Sequence, residues 1–372
     1  MPENQALWLN TKRADLRIGP AAYTRPGTNE IVVRNRAVAI NPIDWLLQSV
    51  GDIIFPWLRY PLILGSDVAG EVVEVGSGVK RFKVGDRILG LAVGCDKLRN
   101  HAAEGGFQHF TVLLPHMAAP IPPTMRFEDA AVLPLGLSTA ACGLFQKDLL
   151  ALEHPSSKAK PTGKTLIVWG GSTSVGSNAI QLAVAAGYEV VATASPQNFG
   201  FVRKMGAAMV FDYHSKTVVD DIVSALSTRV VAGAIAISAG AAAPCIDILA
   251  RSEGKRLVAL ATPQASVDRI AGSRGSLWHF LPAILGFLGT NTLVALKARM
   301  RGVATKFIFG SSLMENEVSH LIYEDFLPQA LTDGRYVTAP EPILAGHGLE
   351  RINDAIDLHR KGVSARKVVV SL

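Results

Sequence analysis

The segment VWGGSTSVGSNAIQLA, residues 168–183, decides the fold of this chain. An apolar run, residues 165–169, enters it, and an Ala-, Gln- and Leu-rich run of helical texture leaves it. Between them lies a glycine turn close to the spacing of a pyrophosphate-binding loop, but the usual middle glycine is missing. Gly171 and Gly176 bracket Thr173 instead. Such a turn needs a tight reversal, backbone brought close to an anion, and a helix start packed against the strand. Gly171 is expected to serve the first need and Gly176 the third. Thr173 weakens the second, while Ser172, Thr173 and Ser174 are expected to bring hydroxyl donors to the same mouth.

Working outward, six short apolar runs follow Lys164: KTLIVWG, YEVVATAS, MVFDY, VAGAIAIS, KRLVALAT and TKFIFG. Helical stretches at residues 177–186, 198–205, 218–226 and 243–250 separate most of them. Uniformly apolar strands alternating with helices predict a doubly wound parallel sheet, and that setting turns the near-fingerprint into a strong signal. The first 130 residues read differently. EIVVRNRAVAINP and DVAGEVVEVGSGVKRFKVGDRILG are β-rich runs split by glycine-containing turns, before RFEDAAVLPLGLSTAACGLF shifts to a helical texture. The tail adds EVSHLIYEDFLPQAL and GLERINDAIDLHRKG, both helix-like, and a last strand, RKVVVSL. That strand needs a partner, and the β-rich first domain is its expected host. The expected class is α/β, with boundaries at residues 1–135, 136–311 and 312–372.

Composition narrows the functional classes. With 49% apolar and 18% charged residues over 372 positions, the chain reads as two well-packed domains of ordinary size. Its net charge of +6 is scattered rather than clustered, which argues against a nucleic-acid surface and suits an anionic small ligand. Three widely spaced cysteines, Cys95, Cys142 and Cys245, form no disulfide framework and fit a reducing compartment. The opening MPENQALWLN lacks the charge and apolar pattern of a signal peptide, so a cytoplasmic location is expected. Residues 277–296, LWHFLPAILGFLGTNTLVAL, invite a membrane reading. Pro282, the glycines and the polar TNT favour a core, lid or interface segment over a span.

The end of the second apolar run selects the dinucleotide. An NAD site usually places a carboxylate there to accept from the ribose 2′-hydroxyl. Here residues 193–198 contain none; Ser195 and Asn198 can donate to a 2′-phosphate, with Arg203 and Lys204 further along. Tyr213, ending the third run, can stack near the adenine or donate to the phosphate. The expected cofactor is NADPH.

With these residues in view, the chain resembles the medium-chain dehydrogenase/reductase superfamily over nearly its whole length. The likeness is to the zinc-free quinone-reductase and fungal trans-acting enoyl-reductase branch. It rests on NPIDW (residues 41–45), GSDVAGEVVEVGSGVKRFKVGDRILG (65–90), GGSTS, ASPQNF and FDY, extended by FLPQAL, GHGLERI and the terminal RKVVV. The resemblance implies a GroES-like β domain, a Rossmann domain, and a tail that returns to the first domain. Where zinc-dependent relatives carry His-Glu after glycine, this chain has Ser66-Asp67, so no metal is expected. Without a Lewis acid to hold an alkoxide, hydride addition to an activated C=C bond or a quinone suits the site better than alcohol oxidation.

The resemblance also assigns residues. Asn41, Asp44, Trp45 and Thr139 would flank the nicotinamide, with Trp45, Thr139 and Tyr60 as the candidates for catalysis. Thr139 is expected at a helix start, where its hydroxyl and free amides converge. Gly171, Ser172, Thr173, Ser174, Val175 and Gly176 would hold the pyrophosphate. Ser195, Asn198 and Tyr213 would hold the adenosine end. Leu260 would edge the nicotinamide, and Lys367 could reach the cofactor. Trp45, Leu135, Phe309 and Gly310 would face the substrate, a greasy or polyketide-like enone, an enoyl thioester or a quinone, free or tethered to a carrier protein or synthase. The fungal relatives commonly carry lysine after the NP-x-DW tryptophan, and this chain has Leu46. The proton source is therefore open between Tyr60 and water. An NADPH-binding partner protein without turnover is the reading from another class. Either a monomer or a homodimer fits, the latter through an apolar edge at TKFIFG.

Overall fold

The computed structural model describes residues 2–264 and 277–372, with the side chains of residues 277–284 and 287 outside the description. The chain divides into two compact units, Met1–Leu135 with Leu313–Leu372, and Gly136–Ser312.

The first unit begins with β1 (Asn4–Leu9), β2 (Arg17–Ala21) and β3 (Ile31–Ala39), then helix α1 (Pro42–Ile54). Five more strands follow: β4 (Leu62–Ile63), β5 (Asp67–Val75), β6 (Arg87–Leu91), β7 (Phe110–Leu113) and β8 (Ala118–Pro120). Buried Asn35, on β3, ties the strands to the loop ahead of β7. Its Nδ2 donates to the carbonyls of Gly106 and Gln108 and to Oγ1 of Thr111, at 3.0, 2.7 and 2.8 Å. α1 opens with Pro42 in its first turn, where the missing N–H costs nothing.

Helix α2 (Pro134–Phe145) leads into the second unit. Its strands are β9 (Lys164–Trp169), β10 (Glu189–Ala194), β11 (Met209–Asp212), β12 (Val230–Ala236), β13 (Glu253–Gly254), β14 (Leu257–Leu260) and β15 (Ala304–Phe307). Between them run α3 (Ser174–Ala185), α4 (Phe199–Lys204), α5 (Val218–Ala225), α6 (Ala242–Ala250) and α7 (Leu277–Met300). The strands pair in parallel in the order β11-β10-β9-β12-β14-β15, with β13 beside β12. The six apolar runs are β9, β10, β11, β12, β14 and β15; the burial of β9, β10, β12 and β14 explains why they lack polar alternation, while β11 is half-buried and the edge strand β15 is largely exposed. The order reverses at β9, so the turn leaving β9 sits at the topological switch point, where doubly wound sheets bind ligands. Residues 277–296 lie in α7, and among the described residues no helix is long and apolar enough to cross a membrane.

The tail carries β16 (Glu341–His347), α8 (Ile352–Arg360) and β17 (Arg366–Ser371). β17 runs parallel to β16 and antiparallel to β3, inside the sheet β16-β17-β3-β5-β6-β8. The last strand therefore finds its host in the first unit, as expected from its apolar sequence. Val369 sits opposite Ala39 on β3 and is fully buried. A Val369→Asp change strands a charge there and is expected to lower stability by more than about 3 kcal/mol, while Val369→Ile stays near the parent. Equilibrium unfolding in urea checks both.

Candidate functional site

In the second unit the glycine turn is built by three constraints. Gly170 carries the reversal, with φ at +99°, a region only glycine enters without strain. This corrects the expectation that Gly171 makes the tight turn; Gly171 instead packs against Ala192, Ile180 and Val202. Gly176 serves close packing as expected, since a Cβ there would lie 2.1 Å from the carbonyl oxygen of Gly170. Thr173 is the N-cap of α3. Its Oγ1 accepts from the Gly176 amide at 3.0 Å and donates to the Gly170 carbonyl at 2.8 Å. Its hydroxyl is thus engaged within the turn rather than offered at the mouth. The cap takes only one first-turn amide, and the amide of Val175 has no acceptor within the helix, the arrangement that receives a phosphate. The turn is braced from β10, because the amides of Gly170 and Gly171 donate to Oγ1 and O of Thr193.

Ser195 follows β10, and its Oγ lies 3.4 Å from Oη of Tyr213, just beyond β11. Tyr213 is exposed and its ring meets that of His214 at 4.0 Å. The amide of Asn198 donates to the carbonyl of Ser195, so the three expected adenosine-end residues lie together. On the far side of the sheet's switch point, Leu260 ends β14, in register with Ala236 and Phe307. Thr139 is buried in α2, and a Cβ on Gly310 would meet its Oγ1 at 2.7 Å. The structure therefore brings Thr139 and Gly310 together. Thr139 lies past the first turn of α2, which begins at Pro134, so the free amides expected beside it lie upstream. Phe309 is exposed and edge-on to Phe307 at 5.0 Å.

In the first unit the assigned residues converge on one carboxylate, Asp67, at the start of β5. Its Oδ2 accepts from Nζ of Lys367 and from Nδ2 of Asn41, both at 2.8 Å. Its Oδ1 accepts from the amide of half-buried Leu135 at 2.6 Å. Lys367 also donates to Oδ1 of Asn41 at 2.5 Å, and only 5% of its side chain is exposed. Lys367 is thus an internal cation with two acceptors. Asn41 turns the other way through its backbone, donating its amide to Oδ2 of Asp44 at 2.8 Å. Sequence reading missed Asp67, treating it only as a departure from a zinc motif. The available signal was a carboxylate inside an apolar run, GSDVAG, which has to be paired when buried.

Trp45 is buried beside Leu46, its Nε1 has no hydrogen-bond partner among the described residues, and the Arg360 guanidinium lies 5.8 Å from its ring centroid. Tyr60 Oη is likewise buried without a partner, and burial, with Asp52 and Cys95 adding, pushes its phenol up to about 12. It remains a neutral donor at any ordinary pH. Among the described residues no group of three or more His, Cys, Asp or Glu could hold a metal ion, and the donors around Asp67 are an ammonium and amides rather than zinc ligands.

Residues 27–123 match the alcohol dehydrogenase GroES-like domain. Over the full length of both chains, the protein is 51% identical to Dehydrogenase pigH of Monascus ruber. It is 36% identical to Trans-enoyl reductase himH of Aspergillus japonicus, covering 99% of this chain and 97% of that one. Among solved structures, the CurK enoyl reductase aligns with a TM-score of 0.71 at 20% identity, over 99% of each chain, a likeness of fold.

Gly176→Ala forces a Cβ onto backbone and is expected to cost about 1–3 kcal/mol. Gly200→Ala, in α4 with nothing within 4 Å, is expected to be neutral or to stabilise by up to about 1 kcal/mol. Thermal unfolding of the two variants beside the parent gives the comparison.

Proposed function

The chain belongs to the medium-chain dehydrogenase/reductase family, and from that premise we propose that it is an NADPH-dependent, zinc-independent reductase of activated C=C bonds in enones or enoyl thioesters. It is an oxidoreductase of that family; the cofactor and acceptor are the proposed part. The observation that carries the reading is the end of β10, where Ser195 and Tyr213 meet and no carboxylate occurs across residues 193–198. An acid there would repel a 2′-phosphate, whereas two hydroxyls and Asn198 can donate to one. The acceptor class is supported by the trans-enoyl reductase name of the Aspergillus japonicus relative and by Ser66-Asp67 in place of zinc ligands.

The nicotinamide, when bound, supplies the hydride. This chain's residues do the rest. The start of α3 and the turn from Gly170 would take the pyrophosphate, with backbone amides and the helix dipole rather than a cation. Thr139, held against Gly310, would orient the amide end of the ring, and apolar Leu260 would leave its neighbourhood dry. Trp45 and Tyr60 each keep a buried donor without a partner, so either can bond a carbonyl oxygen on which negative charge develops. Phe309 would supply an apolar wall for a greasy acceptor.

A quinone reductase is the second reading, favoured by Leu46, because a quinone demands less control of protonation than an enoyl carbon and leucine supplies none. The discriminating experiment follows NADPH oxidation with a trans-2-enoyl thioester and a 1,4-quinone in parallel, with NADH and a zinc chelator as controls. Thioester turnover that survives the chelator is expected. Quinone turnover alone promotes the second reading, and NADPH binding with silence on both acceptors points to a non-catalytic partner protein. Ser195→Asp is expected to cost about 2 kcal/mol with NADPH, roughly thirty-fold in kcat/KM, and to leave NADH use unchanged or improved.

A further inference from the structure

Two carboxylates and one ammonium are buried together in the first unit: Asp44 on α1, Asp67 on β5 and Lys367 on β17. Their surroundings are unequal. Asp67 receives three hydrogen bonds, one of them from the ammonium. Asp44 receives one of normal geometry, from the Asn41 amide to Oδ2, with the Gly65 amide also near it, while its Oδ1 is buried and among the described residues makes no hydrogen bond of normal geometry. A wholly buried anion without donors is costly, so where a single cation serves two carboxylates the poorly solvated one takes a proton.

The neighbouring groups do not change the count. Cys95, after β6, has its thiol pushed up to about 12 by burial and then by Asp44 and Asp96, so it stays neutral. His359, on α8, is pushed down to about 4 by burial and then by Lys367, so it adds no positive charge near neutrality. Tyr60, which faces Cys95, keeps its proton. Arg360 is exposed at the Trp45 ring. The cluster therefore holds one positive charge against two potential negative ones.

We propose that this cluster is a built proton store, in which Asp67 carries the negative charge that Lys367 balances and Asp44 is the group that takes up and gives back a proton. Burial, reinforced by Asp67 and opposed by the Asn41 and Gly65 amides and by Lys367, pushes Asp44 up to about 7. Resting on the reductase reading, the store answers the question that Leu46 raises. Hydride goes to the β carbon, the C=C electron pair moves to the α carbon as an enolate, and that carbon takes a proton while Asp44 becomes a carboxylate. Solvent then restores the proton. Asp44 acts as the acid that supplies this step, directly or through an intervening donor such as Tyr60.

Infrared titration tests the store on the intact protein without any substrate. A carboxylic-acid C=O band is expected below neutrality, lost as pH rises through about 7 and absent from Asp44→Asn, whose amide keeps the Oδ acceptor for Asn41. Asp67→Asn removes the like charge and leaves Lys367 facing Asp44 alone, so the band is expected to vanish at neutral pH. Because Asp44 is raised above its unfolded value, its contribution to stability is present below about pH 4 and lost as pH climbs through about 7; Asp44→Asn abolishes that slope. In turnover of the enoyl thioester, kcat is expected to fall tenfold per pH unit above the band's midpoint, and Asp44→Asn to give a slow, flat profile. A spectrum with no band that Asp44→Asn removes overturns the store, whether or not the thioester is a substrate. A band that titrates while kcat stays level across it overturns the role of Asp44 as the acid.

Discussion

A carboxylate with no exposed surface keeps its charge in a protein only where donors enclose it, and Asp67 is enclosed from three directions. Lys367 comes from the last strand, Asn41 from the residue ahead of α1, and the Leu135 amide from the first turn of α2. One side chain thus fixes the C-terminal strand, the start of the helix that carries Asp44 and Trp45, and the point where the chain leaves the first unit. Removing it would leave Lys367 buried without its hydrogen-bonded anion and with only the more distant Asp44 to balance it, which is more damaging than the pair is stabilising. The unassigned residue is therefore the one on which the assigned residues depend.

The alternating architecture was legible because the central strands of the second unit, β9, β10, β12 and β14, are largely apolar and buried, as a sheet covered on both faces asks. The terminal strand was legible for a similar reason: RKVVVSL is too apolar to stand alone. Finer details were not. Gly170 and Gly171 are adjacent and chemically identical, so which of them adopts φ of +99° depends on the path back to β10 through Thr193. Thr139 was expected at a helix start because Pro134 and Gly136 precede it, yet the helix begins at the proline and the threonine lies beyond its first turn. The Asp67 network joins residues up to 326 positions apart, and no local pattern announces that Lys367 points inward.

The two units divide the chemistry in a way the sequence suggested only in outline. The second offers backbone amides, hydroxyls and a tight turn, which suit a phosphorylated dinucleotide. The first offers a charge-balanced interior and two unpartnered donors, Trp45 Nε1 and Tyr60 Oη, which suit charge appearing on an acceptor oxygen. The proposed hydride addition to a conjugated double bond asks for donors of this kind and for the acid proposed at Asp44.

The most direct measurement is the fate of deuterium. Incubating the protein with NADPH deuterated at nicotinamide C4 and a trans-2-enoyl thioester, then reading the product by mass spectrometry, follows the transferred atom itself. The account predicts one deuterium at the β carbon from one face of the cofactor and an unlabelled hydrogen from solvent at the α carbon. A saturated product without label, or cofactor oxidation with the double bond intact, would contradict it.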